Sequence, residues 1–346
     1  MNLVHVIRWA GIMLVALLAA CAQDPFYWLL SPPRARVISR FFLPPSGTDV
    51  VGTLVAVHAY PQDTLSDIAR YFDVGHDAIL NANPKVDPWL PGKSTRILIP
   101  TQHILPPGTR RGIVINLAAL RLYYYPADNR TVITHPTGIG RENWATPQGS
   151  TKVIAKEIDP PWRIPLSIRS EHASQGNPLP AILPAGPNNP LGQYALRLGV
   201  PGYLIHGTNR PYGIGMRVSH GCIQLYPEDI SALFPNVPIG TQVTIINYPY
   251  LIGRVAGRPY LEAHPHNEDD TNNQKIEIME RLHQVMLETG VTSAEIDWNR
   301  ALTAARMALG VPLPIYRGAP VAEAMLAAVS LVETGVIAGT WEPVAR

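Results

Sequence analysis

Residues 205–225 read IHGTNRPYGIGMRVSHGCIQL. An apolar strand ends at His206, a loop carrying Gly207, Gly213 and Gly215 follows, and His220, Gly221 and Cys222 close the stretch. Sulfur attacks a carbonyl only as thiolate, so a catalytic cysteine needs a base or a positive field to lower its pKa from ~8.5. Two imidazoles are in reach. His220 lies two residues from Cys222, on the same side of an extended segment, and His206 is sixteen residues upstream, a separation that a folded-back loop closes. Glycines 207, 213, 215 and 221 let that loop turn sharply and let backbone amides approach a substrate. Zinc usually takes three or four protein ligands, and no CxxC or HxxxH spacing supplies the rest, so no metal is expected here. A buried inert thiol beside surface histidines is the bland alternative.

Outward from this stretch the texture is β. GIVINLAALRLYYYP (112–126) predicts two strands around Ala118-Ala119, TVITHPTGIG (131–140) a third, and TKVIAKEID, YALRLGVPGYLIHG and GTQVTIINYP further strands bounded by glycine and proline. Short strands without regular strand–helix alternation predict a mainly β sandwich or barrel-like domain over 107–250. Only PEDISALF (227–234) reads as helical inside it, with proline in the first turn and acids at the positive end of the dipole. Upstream, residues 54–101 predict a small strand–helix–helix–strand unit. Thr64 stands as a cap for LSDIARYF with Asp67 three residues on, HDAILNAN forms a second helix after Gly75, and TRILIP alternates like a strand. Beyond about 265 the spacing turns helical. Ile276, Met279, Leu282, Val285 and Met286 fall on one face, Gly290 ends that helix, Thr292 and Glu295 form a capping box for AEIDWNRALTAARMAL, and VAEAMLAAVSLVET supplies a third helix.

Composition bounds the function classes. The 346 residues exceed the ~100 to 200 of one domain, which predicts two or three units. A net charge of +2 without any long run of one sign excludes a nucleic-acid surface. The 35 prolines, about twice the usual ~5% share, favour extended segments and loops over long helices. Residues 1–21 read as an export signal, WAGIMLVALLAA being too short for comfortable membrane spanning. Its end, LLAAC, resembles the lipobox of bacterial lipoproteins. That resemblance implies lipidation at Cys21, a membrane anchor through the N-terminal lipid, a tether over 22–53, and an envelope location, periplasmic and at the outer membrane where one exists. An ordinary signal peptide with a chance cysteine is the alternative. In both cases Cys222 is left without an intramolecular disulfide partner.

The 54–101 unit resembles a LysM module through Asp63-Thr64-Leu65, Ile68-Ala69, Leu80-Asn81, Asn83-Pro84, Pro91-Gly92 and Ile97-Ile99-Pro100, although His58-Ala59-Tyr60-Pro61 stands where that family often has Val-x-x-Gly-Asp. Glycan of peptidoglycan is the implied ligand, and a spacer that has lost its groove is the alternative. HGTNRPYGIGMRVSHGCIQL closely resembles the active-site segment of the bacterial L,D-transpeptidases, the YkuD or ErfK/YbiS/YcfS/YnhG family. GIGRENWATPQG, NPLPAILPAGPNNPLGQYALRLG and PEDISALFPNVPIGTQV carry the likeness across 107–265.

By position the resemblance implies Cys222 as nucleophile and His206 as general base and acid. Ser219, or a backbone carbonyl of 219–221, orients the imidazole; the amides of Gly221 and Cys222 form the oxyanion hole, and His220 shapes the site. Members usually carry Arg two residues after the cysteine, where Gln224 stands here. Carboxylate recognition therefore stays with Gln224 or moves to Arg217 or Arg210, with Asn209, Tyr212 and Trp144 as cleft candidates. The implied substrates are peptidoglycan stem peptides. The acyl acceptor is an amine of another stem, a lysine of a wall-anchored lipoprotein, or water. No cofactor is implied. A same-fold wall hydrolase and a non-catalytic wall-binding lipoprotein are the competing readings, and the helical extension over 265–346 carries no visible chemistry.

Overall fold

The computed structural model describes residues 39–265 and 274–332. The signal segment, Cys21 and most of the tether lie outside the described residues, as does the chain after 332. No helix among the described residues is long and apolar enough to cross a membrane.

A nine-stranded sheet carries the 107–250 region. In chain order its strands are β1 Arg40–Phe42, β2 Gly112–Asn116, β3 Arg121–Tyr125, β4 Thr131–Pro136, β5 Gly149–Ile158, β6 Tyr194–Leu198, β7 Leu204–His206, β8 Ile223–Gln224 and β9 Gln242–Ile246. Across the sheet they run β1-β4-β3-β2-β9-β5-β6-β7-β8. Only β2 with β9 and β7 with β8 are parallel pairs. Alternation sorts the side chains: Ile113, Ile115, Leu122 and Tyr124 enter the main core, while Val114, Tyr123 and Tyr125 enter a second core on the opposite face. Both faces are therefore covered, as in a sandwich, and β3 is buried along its whole length. The leading strand expected in the tether is β1, and it pairs with β4 at the sheet edge.

Three helices outside the extension flank or precede this sheet: α1 Leu65–Tyr71, α2 His76–Ala82 and α3 Leu166–Ser174; α4 Pro227–Leu233 packs on it. Helix α1 has the expected capping box, with Asp67 N–H donating to Thr64 Oγ1 at 3.1 Å and Thr64 N–H to Asp67 Oδ2 at 3.2 Å. The strands Val55–His58 and Arg96–Ile99 pair antiparallel beside α1 and α2, around Leu65, Ile68, Ile79 and Ile97. Helix α3 was not expected. Of its nine residues only Ile168 is buried, so it has no apolar period to betray it.

The extension departs from its expected form at three points. The hairpin Tyr250–Val255 with Arg258–Ala263 packs with the helices α5 Gln274–Thr289 and α6 Trp298–Met307 in one core, so that core begins near 250, not 265. On α5 the buried stripe is Ile278, Leu282, Val285 and Met286, whereas Ile276 is 60% exposed. The Thr292–Glu295 box forms, but it closes the single turn Ser293–Glu295. Helix α6 starts at Trp298, and its cap is Asp297, whose Oδ1 accepts from Asn299 N–H at 3.1 Å and Arg300 N–H at 3.3 Å. The third helix, α7, spans Ala322–Ala327.

The 54–101 unit is seated firmly on the sheet domain. His76 and Asp77 N–H groups at the start of α2 donate to the carbonyls of Ile214 and Gly215 at 3.0 and 3.1 Å. A Cβ at Gly215 would come within 2.3 Å of Gly75 Cα, so this crossing needs glycine on both sides. Arg70 grips Glu228 with both Nε (2.9 Å) and Nη2 (3.1 Å). Beneath them His135 Nδ1 lies 3.1 Å from Asp73 and 3.2 Å from Asp229, all three buried. The far side of the unit is held by residues 326–332. Ala56 exchanges backbone bonds with Ser330 and Val332, and Arg96 Nη2 donates to the carbonyls of Leu326 and Val329.

Candidate active site around Cys222

Strands β7 and β8 set the site. Ile205 and Ile223 pair and both enter the main core, so alternation sends Leu204, His206, Cys222 and Gln224 to the opposite face. His206 stands level with Gln224, and Cys222 precedes β8 by one residue. The imidazole and the thiol thus share one face of two adjacent parallel strands, one side-chain repeat apart.

The His206 tautomer is fixed locally. Its Nδ1 lies 2.6 Å from the Gly207 carbonyl, and a carbonyl only accepts, so Nδ1 carries the proton and Nε2 keeps the lone pair a base needs. Burial pushes the His206 pKa down to about 4, only partly offset by the Gly207 and Leu191 carbonyls. Burial also pushes the Cys222 thiol up to about 11, against the Leu204 backbone bond that lowers it. The S–H is directed at the Gly202 carbonyl, 3.6 Å away. Desolvation thus favours the neutral thiol and the neutral imidazole in the free site, and attack calls for transfer of the thiol proton.

The Ser219–Cys222 turn is tied down by side chains. Ser219 Oγ donates to the Cys222 carbonyl at 2.6 Å and accepts the Gly221 N–H at 3.1 Å. This corrects two expectations: Ser219 braces the turn while the Gly207 carbonyl orients the base, and the Gly221 amide is engaged instead of facing an oxyanion. Gly221 has φ +100, and a Cβ there would lie 2.9 Å from the Tyr203 ring. The loop after Gly140 closes over the turn, Thr146 Oγ1 donating to the Gly221 carbonyl at 2.8 Å and accepting the Gly140 N–H at 3.0 Å.

His220 is engaged by α3 and by the loop after Gly140. Its Nε2 is 2.9 Å from Glu171 Oε2 on α3, Arg141 binds the other Glu171 oxygen, and the Trp144 ring meets the imidazole edge-on at 4.9 Å. Two groups meet that nitrogen, Glu171 Oε2 at 2.9 Å and Arg141 Nη2 at 3.1 Å; the carboxylate can only accept and the guanidinium can only donate, so the bond to Glu171 forms when Nε2 carries the proton. Desolvation holds the His220 pKa below its ordinary value despite Glu171, and the His220 bond holds Glu171 below its own. Gln224 lies over Gly138, exchanging both backbone bonds with it at 2.8 and 2.9 Å.

The remaining cleft candidates are placed elsewhere. Arg217 donates to the Leu117 carbonyl at 3.3 Å and sits in the field of Asp77 of the 54–101 unit. Tyr212, half-exposed, lies near Asp67 and Arg70 of that unit. Asn209 donates to the Pro187 carbonyl at 3.1 Å, and Arg210 is exposed beside it. The loop between His206 and Cys222 thus spends Tyr212 and Gly215 on the neighbouring unit, Gly215 lying against Gly75 and Tyr212 near Asp67 and Arg70. Sequence reasoning missed Arg141, Thr146, Glu171 and His172. Arg141 and Thr146 sit inside GIGRENWATPQG, already noted for its likeness, while Glu171 and His172 sit on the unexpected helix.

Among the described residues, the side chains that could hold a cation are Asp73, His135 and Asp229, their ligand atoms within 4.8 Å of one another. His135, with its pKa raised to about 10 by the two carboxylates against the opposing cost of burial, fills that place with its own N–H.

Residues 110–245 match the family model of the L,D-transpeptidase catalytic domain, YkuD. The probable L,D-transpeptidase ErfK/SrfK of Salmonella typhimurium is 39% identical over 302 residues, 86% of this chain and 97% of that protein. The chain belongs to the L,D-transpeptidase family. Its Escherichia coli relatives include ErfK/SrfK, 40% identical over 80% of this chain and 90% of that one, and the probable L,D-transpeptidase YcfS, 46% identical over 60% and 66%. The matched span contains His206 on β7 and Cys222 just before β8.

Proposed function

We propose that the protein is a peptidoglycan L,D-transpeptidase in which Cys222 is the nucleophile and His206 the general base. The observation that carries this is the parallel pairing of β7, which ends at His206, with β8, which begins one residue after Cys222, together with the Nδ1–H held by Gly207 that leaves Nε2 as base. As Sγ bonds to the carbonyl carbon at the L-centre of the third stem residue, Nε2 accepts the thiol proton. Transfer concerted with attack suits a pair whose free state is neutral. The C–N bond then breaks, His206 returns the proton to the leaving D-alanine amine, and a thioester remains. An acceptor amine attacks that thioester, passes its proton to His206, and regenerates the thiol. Another stem gives a 3→3 crosslink, a lysine gives a wall-linked lipoprotein, and water gives a shortened stem.

Residues 54–101, on this reading a LysM module, hold the glycan of the same peptidoglycan; their strand–helix–helix–strand order and Thr64–Asp67 box support that role. Cys21, lipidated, anchors the enzyme in the envelope on the periplasmic side of the outer membrane. Purified enzyme with a tetrapeptide donor and competing acceptors, followed by mass spectrometry, tests the central claim. Wild type gives an acyl-enzyme at Cys222 and crosslinked product, and Cys222→Ala gives neither. Product formed by Cys222→Ala rejects the assignment.

A further inference from the structure

Glu171 sets its two carboxylate oxygens on two side chains, Oε1 on the Arg141 guanidinium and Oε2 on His220 Nε2 at 2.9 Å, with Arg141 Nη2 itself 3.1 Å from that nitrogen. Those partners are anchored to the catalytic turn. Arg141 N–H donates to the Ser219 carbonyl at 3.0 Å, the strand Ile139–Gly140 before it pairs with Arg217–Ser219, and His220 precedes Cys222 by two residues. Glu171 is not so anchored: α3 buries a single side chain, Ile168. His172, carried on the same helix as Glu171, has its ring 6.1 Å from that of His220 and its buried Nδ1 without a hydrogen-bond partner, so that nitrogen adds no bond holding α3 in place. The rim thus offers a carboxylate cradle fixed beside the nucleophile, filled by a carboxylate on a lightly held helix.

We propose that Arg141 and His220 recognise a carboxylate of the donor stem peptide, and that Glu171 occupies their donors in cis until the stem displaces it. This deepens the transpeptidase reading and rests on it. Exchange of one carboxylate for another keeps the charge-assisted bonds and adds no new buried charge, so displacement requires only that α3 swing aside. It also accounts for Gln224. The positive fork absent from that position is supplied by Arg141, from the loop that closes over Gly221. Of the free carboxylates of a diaminopimelate tetrapeptide stem, the two that flank the scissile bond are the D-alanine terminus and the diaminopimelate side chain, and either satisfies the cradle.

The test compares three tetrapeptide donors, unmodified, amidated at the terminus, and amidated on the diaminopimelate side chain, by the rate of acyl-enzyme formation. Arg141→Gln is expected to slow the unmodified donor about ten- to a hundredfold, the worth of a charged hydrogen bond, and to leave one amidated donor nearly unchanged. That donor identifies the carboxylate. Glu171→Gln is expected to lower KM several-fold for donors that keep that carboxylate and for no other. Equal slowing of all three donors by Arg141→Gln, or no KM change in Glu171→Gln, overturns the proposal. A second arm needs no turnover: N-acetyl-D-alanine titrated into wild type is expected to shift the His220 imidazole resonances, and its amide is not. No shift with either, together with indifference of acylation to Arg141→Gln, rejects the cradle. Failure of wild type to acylate with any donor instead rejects the transpeptidase reading, while the titration still decides the cradle.

Discussion

Burial decides the chemistry of individual side chains more than charge does in this site. His206 falls to about 4 and Cys222 rises to about 11, so neither is ionised near neutrality. Alkylation of Cys222 by iodoacetamide is therefore expected to rise about tenfold per pH unit from pH 6 to 9. A plateau reached near pH 7 would show a preformed thiolate and contradict this. Ser219 is a brace with two bonds to its own turn, and removing its hydroxyl strands the Gly221 N–H and the Cys222 carbonyl. Ser219→Ala is expected to cost about 1–3 kcal/mol and to slow acylation without changing the alkylation slope, read by urea unfolding and by acyl-enzyme kinetics.

Elements are governed by their apolar period, and here the period can mislead. Spacing places Ile276 with Met279, Leu282, Val285 and Met286 on the inner face of α5; the last four do pack in the core with Ile278, but Ile276 is exposed, so the buried face is rotated from one centred on Ile276. Leu282→Ala is expected to destabilise by about 2–5 kcal/mol, because it opens a cavity in that core. Ile276→Ala is expected to stay within about 0.5 kcal/mol, as an exposed change does. Equal losses in the two variants, measured by urea denaturation, would refute the rotated face. Helix α3 makes the converse point: with one buried residue it has no period to detect, yet it brings Glu171 and His172 to the rim of the site.

The whole molecule is held across its units by buried charge. His135 on β4 is shared between Asp73 of the 54–101 unit and Asp229 at the start of α4. Its folded pKa of about 10 stands above the ordinary 6.5, so its contribution is complete below pH 6.5 and is lost as pH rises through about 10. Wild type is expected to lose unfolding free energy between pH 7 and 10 beyond any loss in His135→Gln. That variant is expected to be less stable at pH 7, where it leaves two buried carboxylates without their shared proton donor. Parallel pH dependence of the two proteins in urea titrations would exclude His135 as the source.

The sequence alone determined what depends on near neighbours. Alternation marked the strands from GIVIN to VTII, the Thr64–Asp67 pair marked a helix start, and the spacing of His206, Ser219, His220, Gly221 and Cys222 marked a nucleophile with its imidazoles. Each of these signals acts within a turn or a strand, or is carried whole by one stretch of chain. Tertiary structure alone decided which surfaces meet. The Gly75–Gly215 crossing, the Asp73–His135–Asp229 triad, the strap of residues 330–332 along Ala56, and Glu171 on Arg141 and His220 all join segments far apart in the chain. The physical reason is that a polar residue such as Glu171 reads the same in sequence whether solvent or a neighbouring guanidinium faces it, and only packing chooses between them.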